Sequence, residues 1–381
     1  MKCWLTILLS SFILVKTFAQ KDSSGINFSF NGYLKDLNTI GLPVHQQNLS
    51  YTQLLHNRLN LKWASDEFNA SLELRNRFFW GDLPRQDRLL SKHLENSNEK
   101  IMIPVVWTRN NNMLLHSNIE RAWLEFKSRK WSYKIGRQRI NWGMNNIWNP
   151  NDIFNAYNLL DFDYEERSGV DGFRIRNTIN EMSALEWAAA FHHGGKLTTA
   201  FKYGFNKNGF DWQVMVGSYR SRFTMGSGWQ GSSGKWGFKG ELQFFGRSNQ
   251  QSGLLNGSME IDRLTPKNGY LYGSILFTQA GLKKSPPNWN NISFQNSPDK
   301  LMPAQWNFLL GFRKEISPRC NTSIGMIHAP FVQLLILYPS LNYSLLTNLD
   351  LDLFWQSFYG KSSRAFGVIG QTCFIRLKWS F

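Results

Sequence analysis

The sequence predicts an all-β fold: a single transmembrane antiparallel β-barrel of about 18 strands, with 16 as the alternative count, long extracellular loops and short periplasmic turns. Three observations predict it. Apolar and polar residues alternate with period two along segment after segment of the 381-residue chain, the pattern of strands with two chemically different faces. Aromatic residues make up 15% of the chain and charged residues only 18%, below the ~25% of an ordinary soluble domain. Mean hydropathy is −0.37, which excludes a bundle of transmembrane helices, each needing ~20 mostly apolar residues. In lipid every backbone polar group needs a partner within the chain, so a spanning chain without such helices is a closed barrel.

The N-terminus comes first and lies outside the barrel. Met1-Lys2, an apolar run from Trp4 to Val15, and Thr17-Phe18-Ala19 have the basic, apolar and small-residue regions of a secretory signal peptide. Residues 1–19 are read as that signal and 20–381 as the barrel, with export to a Gram-negative-type outer membrane as the expected destination. Cys3 precedes the apolar run and so is not a lipoprotein cysteine. Losing Lys2 and Lys16 lowers the formal charge from +16 to +14.

Strands are read near 26–36, 51–63, 68–80, 117–127, 131–141, 169–178, 184–192, 197–206, 209–219, 222–231, 235–246, 254–264, 268–280, 305–316, 320–329, 332–344, 347–359 and 367–381. In the third, Phe68, Ala70, Leu72, Leu74, Phe78 and Trp80 oppose Asn69, Ser71, Glu73, Arg75 and Arg77. In the second, Leu55, Leu59, Leu61 and Trp63 oppose His56, Arg58, Asn60 and Lys62. An even strand number returns the C-terminus to the side of the N-terminus. Short turns at Ser65-Asp66, Ser128-Arg129-Lys130 and Ser317-Pro318-Arg319 then fall on one side, and the long connections 37–50, 81–116, 142–168 and 281–304 on the other. The Gly-rich stretch 220–264 is where the count is open by two. The 16 Trp and 12 Tyr suit aromatic girdles at the two membrane boundaries. Cys320 and Cys373 fall on strands that are not neighbours, which predicts free thiols.

The last strand places Cys373, Ile375, Leu377, Trp379 and Phe381 on one face. Its terminal Phe resembles the C-terminal signal by which bacterial outer-membrane barrels are recognised, which implies the barrel assembly machinery as a partner through Phe381.

The least generic segment is Gly136-Arg137-Gln138-Arg139-Ile140-Asn141-Trp142-Gly143, followed by Trp148-Asn149-Pro150-Asn151-Asp152-Ile153-Phe154-Asn155 and Gly169-Val170-Asp171-Gly172. It resembles the porin-like outer-membrane families related to alginate-export channels, in which a Gly-Arg-Gln strand end precedes a Trp-Gly turn, an Asn-Pro-x-Asp loop and a Gly-Val-Asp strand. The resemblance covers about 40 residues in detail. It implies a porin-like fold and carries no alginate chemistry to this chain. Asn149-Pro150-Asn151-Asp152 reads as a helix start, with Asn149 or Asp152 as cap. Apolar Trp148, Ile153, Phe154, Tyr157 and Leu159 predict that loop 142–168 folds into the barrel mouth and narrows the lumen. A loop packed on its neighbours, or a contact between barrels, is the alternative.

Arg137 and Arg139 share parity with the outward Trp131, Tyr133 and Ile135. Either a bulge at Gly136 swings them into the pore, which is preferred here, or they lie at the rim near lipid headgroups. Across the clear strands the inward face carries Arg58, Lys62, Arg75, Arg77, Arg121, Lys134, Arg174, Arg176, Lys202, Lys239, Arg313, Arg376 and Lys378. Its acids are Glu73, Glu125, Glu186, Glu241, Glu315, Asp350 and Asp352. This excess of cations focuses anions in a narrow lumen. The expected pore-lining or constriction set is Glu73, Arg75, Arg77, Arg121, Glu125, Lys134, Arg137, Arg139, Asp152, Arg174 and Arg176. Pairs such as Glu73 with Arg75 and Glu125 with Arg121 are candidates for stiffening the wall.

The function expected is a channel for passive or substrate-selective passage of small polar or anionic solutes, saccharides included. A surface polysaccharide-binding or assembly barrel with a plugged lumen is the alternative, and surface aromatics such as Trp107 and Trp289 would stack on sugars in either. Basic residues are spread over alternating strands with no clustered patch, which argues against nucleic acid. Nothing near His192-His193 supplies a nucleophile–base–orienter set, and no His-x-x-x-His spacing occurs, so neither catalysis, metal nor cofactor is expected. Outer-membrane lipid, lipopolysaccharide and a homo-oligomer complete the expected partners.

Overall fold

The computed structural model describes residues 27–44, 48–94, 100–101, 104–155, 160, 169–248, 251–287, 289, 297–361 and 365–381. The proposed signal peptide therefore lies outside the described residues, as do 156–159 and 161–168 of the long loop.

Period-two segments form β1 (Asn27–Gly41), β2 (Ser50–Ala64), β3 (Phe68–Gly81), β4 (Val105–Arg109), β5 (Met113–Ser128), β6 (Trp131–Gln138) and β7 (Val170–Asn180). There follow β8 (Ser183–Phe191), β9 (Leu197–Lys207), β10 (Phe210–Tyr219), β11 (Arg222–Ser233), β12 (Trp236–Phe245) and β13 (Leu254–Thr265). The last six are β14 (Gly269–Thr278), β15 (Trp306–Ser317), β16 (Cys320–Ala329), β17 (Leu334–Leu346), β18 (Leu349–Lys361) and β19 (Phe366–Ser380). All but β4 close an antiparallel ring of 18 strands in chain order, with β19 returning to β1. β4 is a five-residue addition from the loop after β3 and pairs with β5 alone. The stretch 220–264 resolves into β11, β12 and β13, which settles the count at 18. Cys320 and Cys373 are free, on β16 and β19.

Side-chain alternation gives the wall its two faces. Outward residues are apolar and bare: Leu124 is 62% exposed, Ile135 58% and Val214 50%. Such a surface in water would be a very large apolar patch; facing hydrocarbon it is the favourable arrangement. Aromatic rings cluster near the short-turn ends, where Phe68 and Phe126 lie 5.0 Å apart and Trp131 and Tyr133 stack at 6.0 Å. At the opposite ends Phe78 meets Trp80 and Phe277 meets Trp306.

The interior holds loops as well as side chains. One apolar cluster joins Ile140, Trp142, Ile153 and Phe154 to inner-wall Ala188, Ala200 and Met215. A second packs Trp148, Trp289, Leu301 and Met302 on inner-wall Leu276, Leu309, Ile327 and Ile336. Trp289 is thus a core residue, donating its indole N–H to the Lys361 carbonyl (3.0 Å), which corrects its reading as a surface aromatic. Trp107 does lie at the surface, 65% exposed.

Candidate lumen site

β6 and β7 bring the two ends of the distinctive motif together. Gly136 pairs with Gly172, Arg137 with Asp171 and Gln138 with Val170. Gly136 has φ 109°, a region open to glycine, and a Cβ there would sit 2.3 Å from the Ala122 carbonyl. Yet the β5–β6 ladder runs in step from Lys134 to Arg137, so β6 contains no inserted residue. The irregularity lies in β5, where the pairing with β3 slips between Ile119 and Arg121. Arg137 is buried, its Nε 2.8 Å from Asp171 Oδ1, and its Nη1 donates to the Ile119 carbonyl at 2.7 Å. Asp171 also accepts the main-chain N–H groups of Lys100 and Ile101, each at 2.8 Å. Gly169 is required here as well, because a Cβ would meet the Glu120 carbonyl at 2.7 Å and Arg137 Cγ at 2.8 Å. Arg139, just past β6, is exposed.

The chain leaving β6 turns inward and crosses the lumen. Glu241 on β12, fully buried, accepts the N–H groups of Met144 (2.5 Å), Asn145 (2.8 Å) and Asn151 (2.9 Å). Glu260 on β13 accepts those of Asn146 (3.0 Å) and Ile147 (3.1 Å). Trp142 donates its indole N–H to Glu186 on β8, and Gln213 on β10 donates to the Trp142 carbonyl at 2.6 Å. At the other extreme, Gln356 on β18 donates to the Leu160 carbonyl at 3.0 Å. β8 and β18 lie nearly opposite in the ring of strands, so the segment spans the bore. The expected helix at Asn149–Asp152 does not form; these residues make a turn. Asn151 is claimed by the wall instead, its N–H on Glu241 and its Nδ2 on the Ser227 carbonyl (2.8 Å), while the Asp152 N–H closes the turn on the Asn149 carbonyl (3.2 Å). Asp152 is buried within that turn.

The wall from β2 to β7 is ionic. Glu73 pairs with Arg58 and lies 3.6 Å from Arg121. Arg75 lies 3.5 Å from Glu120, a residue that sequence reasoning did not single out. Arg77 reaches the Leu94 carbonyl at 3.3 Å and the His116 ring at 3.3 Å. Apart from Arg121, which is half-buried, these side chains are buried, and Glu73 stiffens the wall through Arg58. Nearer the short turns, Glu125 is shared by Lys134 and Arg174, each at 3.9 Å, while Lys134 also lies 3.5 Å from the centre of the Trp123 ring. Lys134, Arg174 and Lys202 keep partly exposed ends, and Arg176 is exposed. Among the described residues no group of His, Cys, Asp or Glu is placed to hold a metal.

The anchors Glu241, Glu260, Glu186 and Gln213 were not among the expected site residues. Glu186 and Glu241 carried a signal, being acids on inward faces, but nothing local showed that they accept loop amides.

No family model matches the chain and no curated protein matches it. Solved structures do. OccAB4 of Acinetobacter baumannii is 8% identical, with a TM-score of 0.57 over 95% of this chain and 100% of that one. OccAB3 of Acinetobacter baumannii is 9% identical, with a TM-score of 0.56 over 93% and 99%. OccK11 (OpdR) of Pseudomonas aeruginosa is 9% identical, with a TM-score of 0.53 over 93% and 96%. At such identity the likeness is one of fold.

Proposed function

We propose that this protein is a porin-like channel of a Gram-negative outer membrane, passing small polar or anionic solutes, saccharides included, through a lumen narrowed by residues 139–155 and Leu160. The observation that carries the reading is the position of that segment. It is hydrogen-bonded to the inner wall from β8 to β13 and reaches β18, so any solute must pass beside it. The facing wall offers Arg121, Lys134, Arg174 and Arg176 against few free acids, which supports anion preference. Residues 1–19 would direct export and Phe381 assembly; Phe381 exchanges main-chain hydrogen bonds with Gly32, both at 3.0 Å.

Planar-bilayer recording tests the reading. Stepwise conductance with a reversal potential favouring anions in a salt gradient is expected, and deletion of 144–160 should raise the unit conductance. Silence of well-folded protein would overturn it. A second reading, a polysaccharide-binding barrel with a plugged lumen, is favoured by the apolar cluster that fills the long-loop half of β14 to β18. Silence combined with polysaccharide binding would select it.

A further inference from the structure

Opposite the ionic wall, the inner face of β14 to β17 has a different chemistry. Tyr272 and Tyr338 point inward from β14 and β17, with Gly311 of β15 and Gly325 of β16 between them, so that one row across the wall reads Tyr272–Gly311–Gly325–Tyr338. The two glycines let the rings lie down. A Cβ on Gly311 would fall 2.1 Å from Tyr272 Cζ, and one on Gly325 would fall 2.1 Å from Tyr338 Cζ. Each ring therefore lies along the wall over the neighbouring main chain, its hydroxyl end above the glycine. Both rings are half-buried. Tyr270, one row toward the short turns, stacks on Tyr272 with centroids 5.5 Å apart and planes at 27°.

The groups around this flat patch form hydrogen bonds. Ser323 and Ser340 face each other at 2.7 Å in the row beside it, and Asn342 donates to Asp352 at 2.5 Å. Arg313, register partner of Tyr270 and Ser323, is exposed. The spanning segment borders the patch through Asn146, whose amide lies 3.5 Å from the Tyr270 hydroxyl. Four strands make a platform about 14 Å wide at ~4.8 Å per strand, enough for two consecutive sugar rings.

We propose that the Tyr272–Tyr338 platform is a saccharide-binding subsite, on which the C–H face of a pyranose stacks while Ser323, Ser340, Asn342 and Arg313 receive its hydroxyls. The flat aromatic rings give such a ring an apolar face, and the serines and the exposed Arg313 beside them give its hydroxyls a polar edge. An inorganic anion has no use for that face, so the two walls of the lumen serve different parts of one solute. The proposal deepens the channel reading and rests on the lumen being a solute path.

Equilibrium binding decides it without requiring conduction. Isothermal titration of the purified full chain in detergent with the neutral probe maltohexaose is expected to show saturable binding. The double variant Tyr272→Leu, Tyr338→Leu should weaken it about tenfold, a loss of ~1.4 kcal/mol. The variant Tyr272→Phe, Tyr338→Phe, which keeps both ring faces, should retain binding within about threefold and serves alone if the leucine variant does not assemble. Absence of binding to the wild type, equal binding by the leucine variant, or loss of binding in the phenylalanine variant each overturns the subsite. Bilayer conductance of the wild type, measured separately, reports on the channel reading: a conducting protein that binds no sugar refutes the platform alone.

Discussion

Arg137 and Asp171 face each other across β6 and β7, Nε to Oδ1 at 2.8 Å, beside the stretch of β5 that lacks a strand on that side. β4 pairs with β5 up to Ser117, and β6 begins only at Ala122, which leaves Asn118 to Arg121 without a ladder there among the described residues. The Arg137 guanidinium stands in for the missing strand, donating to the Ile119 carbonyl and to that of Ile101. The carboxylate of Asp171 takes the N–H groups of Lys100 and Ile101, so the pair seals the wall with a loop. An arginine of outward parity is tolerated in the barrel wall because all its donors are directed into protein.

Arg137→Ala should therefore destabilise the barrel strongly, by about 3–5 kcal/mol, the cost of leaving a buried charge without its partner. Asp171→Asn, which keeps an acceptor for the loop amides, should cost less. Urea unfolding in detergent, followed by the mobility of folded and unfolded bands, measures both; equal stability of Arg137→Ala and wild type would show that the pair does not hold the wall.

Glu241 holds three main-chain N–H groups of the spanning segment with one carboxylate. Glu241→Ala should free residues 144–151, so that current through single channels becomes noisier and its mean level rises. Glu241→Gln retains one acceptor oxygen and should fall between the two. A quiet wild-type current in Glu241→Ala would mean that the apolar contacts of Trp142 and Phe154 fix the segment unaided.

The ionic wall separates into two groups by exposure. Arg58 and Arg75 are buried against Glu73 and Glu120, whereas Arg174 and Arg176 reach the lumen. Neutralising Arg174 and Arg176 to Gln should move the reversal potential toward zero by reducing the local anion excess. Arg58→Gln should lower the unfolding midpoint and change selectivity less. The reverse order of effects would place the selective groups in the buried network.

Alternation is a local property of sequence, which is why Leu55, Leu59, Leu61 and Trp63 could be placed outside and Arg58 inside without a structure. It fails where the strand does. The slip at Glu120 belongs to β5 but decides what Arg137 of β6 contacts, and no single segment contains that information. The apolar residues of loop 142–168 signalled burial correctly in Trp148, Ile153 and Phe154, but not the wall that would receive them. Glu241 and Glu260 lie some 90 to 115 residues from the amides they accept, so the helix signal at Asn149-Pro150 lost to partners invisible in the sequence. Trp289 followed the same logic, since a tryptophan in a long loop looks like surface until Leu301 and Val332 are known to surround it.

His192 supplies a pH dependence whose sign is fixed by its surroundings. It follows β8, outside the spanning strands, is 1% exposed, and its Nε2 lies 2.8 Å from Thr198 Oγ1. Burial, reinforced by the nearby charges of Arg220 and Lys196, lowers its pKa from 6.5 to about 4, so the folded protein holds the ring neutral. In the unfolded chain the ring protonates near 6.5, and between these values the unfolded state binds more protons than the folded one. The ring's contribution is therefore intact above pH 6.5 and is progressively lost as the pH falls toward 4. Carboxylates elsewhere titrate in part of the same range, so the measurable quantity is a difference between proteins. The fall in urea midpoint from pH 7.5 to pH 4.5 should be smaller in His192→Asn than in wild type, because asparagine keeps a polar group facing Thr198 and has no proton to gain. An identical fall in both would assign the acid sensitivity to other groups.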